Sequence, residues 1–164
     1  MSKRNKIIHY VCHLLSEEVT LCGRVVLSRV KTLELDQLPC TLVGISRETA
    51  EIVSNTSFLN LKKTAELTIQ ILIEGEENSE DVLHQIISEV EHILFTDDSM
   101  GDLVSRIMPH QMEIETYFEG ERPLGIATLS CDVTYFEEFR RGEDVTDFER
   151  LSVDVKGRMN DNPI

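Results

Sequence analysis

The sequence predicts an α+β domain, a mainly antiparallel sheet with helices packed on one face, in a single domain. Three observations lead there. Two stretches repeat apolar residues at helical spacing, several others alternate apolar and polar residues with a period of two, and the order is helix, strands, long helix, short helix, strands.

In the first helix, over residues 4–16, Ile7, Ile8, Val11, Leu14 and Leu15 form one stripe. Residues 23–30 are rich in Val and Leu and read as a strand, and residues 38–45 as a second extended run entered through Pro39. Residues 47–63 show little regular pattern and read as a polar loop carrying one apolar pair, Phe58-Leu59, followed by Lys62-Lys63. Leu67, Ile69, Ile71 and Ile73 alternate with polar residues, the pattern of a half-buried strand. A helix then starts at Asn78 or Ser79, with Glu80 and Asp81 in its first turn where the helix dipole favours them. Its stripe runs from Val82 through Ile86 and Val90 to Leu94. A polar turn at 96–101 leads to a short predicted helix through Leu103, Val104, Ile107 and Met108, stopped by Pro109. Alternation from Met112 to Phe118 and from Ala127 to Tyr135, joined by a linker containing Gly120, Pro123 and Gly125, predicts a hairpin. The domain is expected over residues 1–138. Residues 139–164 read as a charged extension with one short strand at Leu151, Val153 and Val155.

The net charge of −14 disfavours nonspecific nucleic-acid binding, which needs clustered Lys and Arg. Acid is concentrated: no Lys or Arg occurs from Thr64 to Ser105, while Lys3, Arg4, Lys6, Arg24, Arg29 and Lys31 gather near the start. No apolar run approaches the length of a membrane span, and the interrupted N-terminal stretch does not fit a signal peptide. The scattered Cys12, Cys22, Cys40 and Cys131 form no C-x-x-C pair and read as buried thiols of an intracellular protein.

Chemistry is harder to find. No nucleophile elbow, phosphate loop or dinucleotide fingerprint is present. His9, Cys12 and His13 could converge on one helix face, but that face lies opposite the apolar stripe, and zinc needs three or four ligands. The stretch Asp97-Asp98-Ser99-Met100-Gly101-Asp102 has acids out of step with a calcium loop and reads as a capping turn. No catalytic residue, metal or cofactor is expected.

Several segments together resemble the bacteriophage tail terminator family, the minor tail protein U type of phages and prophages. They are residues 23–30 with Leu38-Pro39 and the strand after them, the strand 66–73 running into the helix 79–95, and residues 97–104 followed by strand, hairpin and residues 124–135. The resemblance covers roughly residues 5–137 and consists of strand phases and turn residues without one invariant signature. It implies a structural protein without catalytic residues. It further implies a homo-oligomeric ring, typically a hexamer, that caps the tail tube, stops its polymerisation and joins the head. The implied partners are the tail tube protein and the head–tail connector protein, and the implied location is the virion tail, assembled in the bacterial host cytoplasm. A ring lumen of negative sign would let DNA pass without binding it. The expected interface is Phe58, Leu59, Lys62 and Lys63. Two alternatives stand beside it: another head–tail joining or neck adaptor protein, and a metal-binding enzyme or sensor using His9, Cys12 and His13.

Overall fold

The structure is a computed structural model that describes residues 1–19, 22–28, 37–117 and 123–141. In chain order it comprises α1 (Lys3–Glu18), β1 (Arg24–Leu27), β2 (Cys40–Asn55), β3 (Phe58–Glu74), α2 (Ser79–Thr96), β4 (Arg106–Tyr117) and β5 (Leu124–Arg140). The five strands form one sheet in the order β1-β2-β3-β5-β4. Only the β1–β2 pair is parallel. The chain is therefore the α+β domain that its periodicities predict, with both helices on one face.

The two-residue period of β3 and β5 builds that face. In the β3–β5 ladder Ala65 is opposite Val133, Leu67 opposite Cys131, Ile69 opposite Leu129 and Ile71 opposite Ala127, and all eight are buried. α1 contributes Ile7, Val11 and Leu15, and α2 contributes Leu83, Ile86, Ile87, Val90 and Leu94, to the same core cluster. Each such aliphatic side chain contributes about 1.5–3 kcal/mol by leaving water. The residues between them, among them Thr68, Gln70, Thr128 and Ser130, point to the opposite face, away from the core that the two described helices cover. Ser2 caps α1 by accepting the Asn5 N–H, satisfying one of the free donors of the first turn. Where β3 leaves the sheet the Gly75 N–H donates to the Pro123 carbonyl, and a side chain on Gly75 would meet Pro123 at 2.8 Å.

Two predicted segments differ. The polar loop expected at 47–63 is a β-hairpin: β2 continues to Asn55, turns at Thr56–Ser57, and returns as β3 from Phe58. Here the strands run past the helices, so neither face is buried and no apolar alternation is required of the sequence. The short helix expected before Pro109 is likewise absent. Leu103 lies in a turn, and Arg106–Tyr117 is an edge strand with a register shift between Pro109 and Gln111. An edge strand at a bulge tolerates a proline, and Val104 and Ile107 are buried from the turn and the strand instead of from one helix face. The expected strand at Leu151, Val153 and Val155 lies outside the described residues, and β5 extends through Phe139 to Arg140. Among the described residues no helix is long and apolar enough to cross a membrane.

The one-sided core makes a clear mutational contrast. Leu83→Ala, at a fully buried position between helix and sheet, should destabilise the fold by about 2–5 kcal/mol in urea unfolding. Val53→Ala, on the far end of the hairpin and 58% exposed, should change it by less than about 0.5 kcal/mol. Equal losses at the two sites would contradict the core boundary.

Candidate functional site

His9 and His13 are exposed on α1, and Cys12 is half-buried against the core. His13 Nε2 lies 3.5 Å from the Glu17 carboxylate, an exposed i,i+4 contact within the helix. Among the described residues no group of three or more His, Cys, Asp or Glu side chains is placed to hold a metal ion. All four cysteines are free, and burial raises the pKa of each thiol, that of Cys131 to about 12. A thiol so raised is a poor nucleophile at neutral pH. A groove of about 390 Å³ beside α1 is lined by Asn5, Ile8, His9, Ser28 and Gly44 among others, and His9 is the one titratable side chain among its described lining residues. Among the described lining residues no acid–base pair is assembled there.

The acidic turn after α2 uses its own carboxylate. Asp97 accepts from the Ser99 hydroxyl at 2.6 Å, from the N–H groups of Ser99 and Gly101, and from the Tyr10 hydroxyl of α1 at 3.2 Å. The Ser99 hydroxyl, with the Gly101 N–H next in strength, holds the Asp97 pKa below the usual carboxylate range. Met100, Gly101 and Asp102 adopt positive φ, so the chain reverses tightly and enters β4. This turn tethers α1 through Tyr10. The helix it is expected to cap does not form, and β4 follows instead.

The most distinctive surface is the far end of the sheet, built by the second half of β2, the first half of β3 and the last third of β5. β3 pairs with β5 along its whole length, from Phe58 opposite Arg140, and with β2 from Leu59 opposite Asn55 to Leu72 opposite Cys40. The buried core stops at Ala65 on β3 and Tyr135 on β5. Beyond them Ile52 is 65% exposed, Val53 58%, Phe136 49% and Phe139 43%. Of the residues expected to form an interface, Phe58, Leu59, Lys62 and Lys63 all lie here, half-buried within β3. Phe58 packs under the Arg140 guanidinium, 5.6 Å from the ring centre, and Lys63 lies 5.4 Å from the Phe139 ring. The more exposed apolar residues, Ile52, Val53, Phe136 and Phe139, were not singled out by the sequence. Their signal was present as β-branched and aromatic content in segments lacking alternation.

A polar cluster marks the boundary between the core and this end. Glu48 on β2 accepts two hydrogen bonds from Arg4 of α1, at 2.8 and 3.1 Å, and one from the buried Tyr135 hydroxyl of β5. Lys63 Nζ bridges Glu137, at 2.5 Å, and Glu48, at 3.5 Å. Lys3 lies over the Tyr135 ring and donates to the Phe136 carbonyl at 3.0 Å. The bidentate Arg4 fork is the chief reason the Glu48 carboxyl falls from 4.5 to about 2; partial burial opposes it, and Tyr135 and Lys63 assist. Burial, then Glu48, raises the Tyr135 pKa. The arrangement positions charged groups to hold α1 and three strands together. Each charged group named in it has a partner within the cluster.

No family model and no curated protein matches the sequence. Among solved structures, the chain is similar to a chain from the virion of a native gene transfer agent particle. The TM-score is 0.36 at 9% identity, covering 76% of this chain and 91% of that one.

Two outcomes follow from the side-chain geometry. Because the folded pKa of Glu48 is below its ordinary value, its contribution is complete above pH 4.5 and is lost as pH falls from there toward 2. Glu48→Gln should therefore lower stability at pH 7 and flatten the pH dependence of the melting temperature across that acidic window. A variant with an unchanged acid slope would contradict the assignment. Replacing both His9 and His13 by Ala should alter stability by less than about 1 kcal/mol, as at other exposed sites. Thermal melts of the parent protein with and without a chelator should coincide, and a chelator-induced loss of the fold would overturn this.

Proposed function

We propose that the protein is a structural component of a phage or prophage tail, a terminator whose ring caps the tail tube, stops its polymerisation and offers a surface to the head connector. The observation that carries this reading is the projecting end of the sheet, where four large apolar residues are exposed on strands tied to α1 by the Glu48–Arg4–Lys63 cluster. Exposed apolar groups gathered in one place mark a protein contact. The order of strands, long helix and hairpin agrees with the tail terminator resemblance in the sequence. The protein acts by shape and is not an enzyme. It holds no cofactor, and its partners are copies of itself, the tube protein and the connector.

The charge distribution supports the same reading. The stretch from Thr64 to Ser105 carries acids without any Lys or Arg, and it includes β3 beyond the projecting end, α2 and the turn after it. Acid lining a ring would repel passing DNA phosphate instead of retaining it.

The test is to mix the purified protein with its tube protein and measure tube lengths by negative-stain microscopy. The parent protein should give tubes of limited length with a ring at one end. Ile52→Asp combined with Phe139→Asp should melt near the parent temperature and yield long, uncapped tubes. Tubes of unlimited length with the parent protein, or full capping by the double variant, would count against the reading.

A further inference from the structure

We infer that the projecting strands carry a self-association contact between two open edges: the outer edge of β2, Thr49–Ser54, joins the outer edge of β5, Tyr135–Phe139, of a second copy of this chain. The inference goes beyond the ring reading by naming the contact, and it rests on that reading only for ring closure.

The strand pairing supplies the edges. β1 accompanies β2 only as far as Val43, so among the described residues the outer side of β2 has no strand partner from Gly44 to Asn55. On the other side, β4 accompanies β5 only as far as Thr134, and among the described residues no other strand pairs with that side of β5 beyond it. The Thr134 carbonyl points to that side, since it accepts the Ser105 N–H, and the Phe136 carbonyl, two residues on, points the same way. Lys3 donates to the Phe136 carbonyl, the kind of lysine guard that keeps an open edge from indiscriminate pairing. That carbonyl retains a second lone pair, and the backbone around Glu138 faces the same side.

The geometry commits these edges to each other. β2 and β5 are both antiparallel to β3, so they run parallel and flank it. A neighbouring copy placed alongside in the same orientation therefore presents its β5 edge to the β2 edge, extending one sheet through both copies. Side chains match across that junction. Through their shared partners on β3, Ile52 is level with Glu137 and Asn55 with Phe139. Ile52 and Phe139 face the same side of the sheet, within about 7–10 Å of strand length of each other.

Charge favours the same place. The chain carries −14 overall, so two copies repel over most of their surfaces. Residues 46–63 and 134–141 together hold five basic and four acidic residues. This nearly neutral end is where two copies can meet without setting acid against acid. Such a contact joins two different surfaces and is heterologous, so each copy leaves one edge open for the next, and a suitable rotation closes a ring. Added salt should strengthen it by screening the net repulsion, the opposite of a contact held by unlike charges.

The test is sedimentation velocity on the full chain from micromolar to submillimolar concentration, with two double variants. Ile52→Lys with Val53→Lys blocks the β2 edge, and Phe136→Lys with Phe139→Lys blocks the β5 edge. The parent should form species larger than a dimer as concentration and salt rise. Each variant alone should remain a monomer, and a mixture of the two should give a 1:1 dimer that grows no further. A parent monomeric throughout, a variant that still dimerises alone, or a mixture that forms no dimer would overturn the contact. Melting temperatures check the fold; if a double variant melts well below the parent, Val53→Lys and Phe136→Lys alone are read by the same criteria. The tube-capping assay separates the two proposals: capping without the mixed dimer sinks the contact alone, and the mixed dimer without capping sinks the function alone.

Discussion

Seventeen consecutive residue pairs join β3 to β5, and the rest of the molecule is arranged around that ladder. Its register places Ala65, Leu67, Ile69 and Ile71 beside Val133, Cys131, Leu129 and Ala127 on one face. A slip of one residue would turn that entire set toward solvent and bring Glu66, Thr68 and Gln70 against the helices. Burying these three polar groups without partners would cost several kcal/mol on top of the lost apolar burial. Both helices accordingly lie on one side, and among the described residues no helix lies on the other, more polar side.

The ladder is longer than the core it supports. α1 and α2 cover the sheet as far as Ala65 and Tyr135, and three strands continue beyond. At that limit the buried Tyr135 hydroxyl needs a partner, and Glu48 supplies it. Glu48 in turn is neutralised by Arg4 and Lys63, with Glu137 completing the set. Removing any one of these charges would leave another short of a partner close to the core, so the cluster acts as one unit. It also ties α1, β2, β3 and β5 together at the point where the strands run beyond the core.

This division of labour is visible in the titrating groups as well. Ionisable groups are numerous, yet those with clearly displaced pKa values serve the fold: Glu48 and Arg4 in the polar cluster, Tyr135 behind it, Asp97 and Tyr10 in the turn that tethers α1, and thiols in the core. The exposed apolar residues, by contrast, are confined mainly to the projecting end and to β4, where Met108, Met112 and Tyr117 are also exposed. In the proposed assembly, strong negative charge elsewhere would keep free subunits apart and direct association to the surfaces where that charge is weakest.

The sequence by itself determined the fold class, both helices and the pairing of the last two strands. In α2 and in the strands around Ile69 and Leu129, one face is buried and the other wet, which forces a readable period on the residues. It also placed His9 and His13 on the solvent side of α1, because the wheel position of a residue needs no tertiary information. Only the tertiary structure decided that residues 47–63 are strand. There both faces meet water, local alternation disappears, and the backbone is held by the β2–β3 and β3–β5 ladders, the latter joining segments far apart in the chain. The same holds for β4, where Val104 and Ile107 have a spacing that fits helix and strand alike, and the empty side of β5 resolves the choice by offering it an edge to pair with. The residues proposed to make contacts, Ile52, Val53, Phe136 and Phe139, were invisible as a group for this reason: they come from two segments more than eighty residues apart in the chain, brought together by strand register.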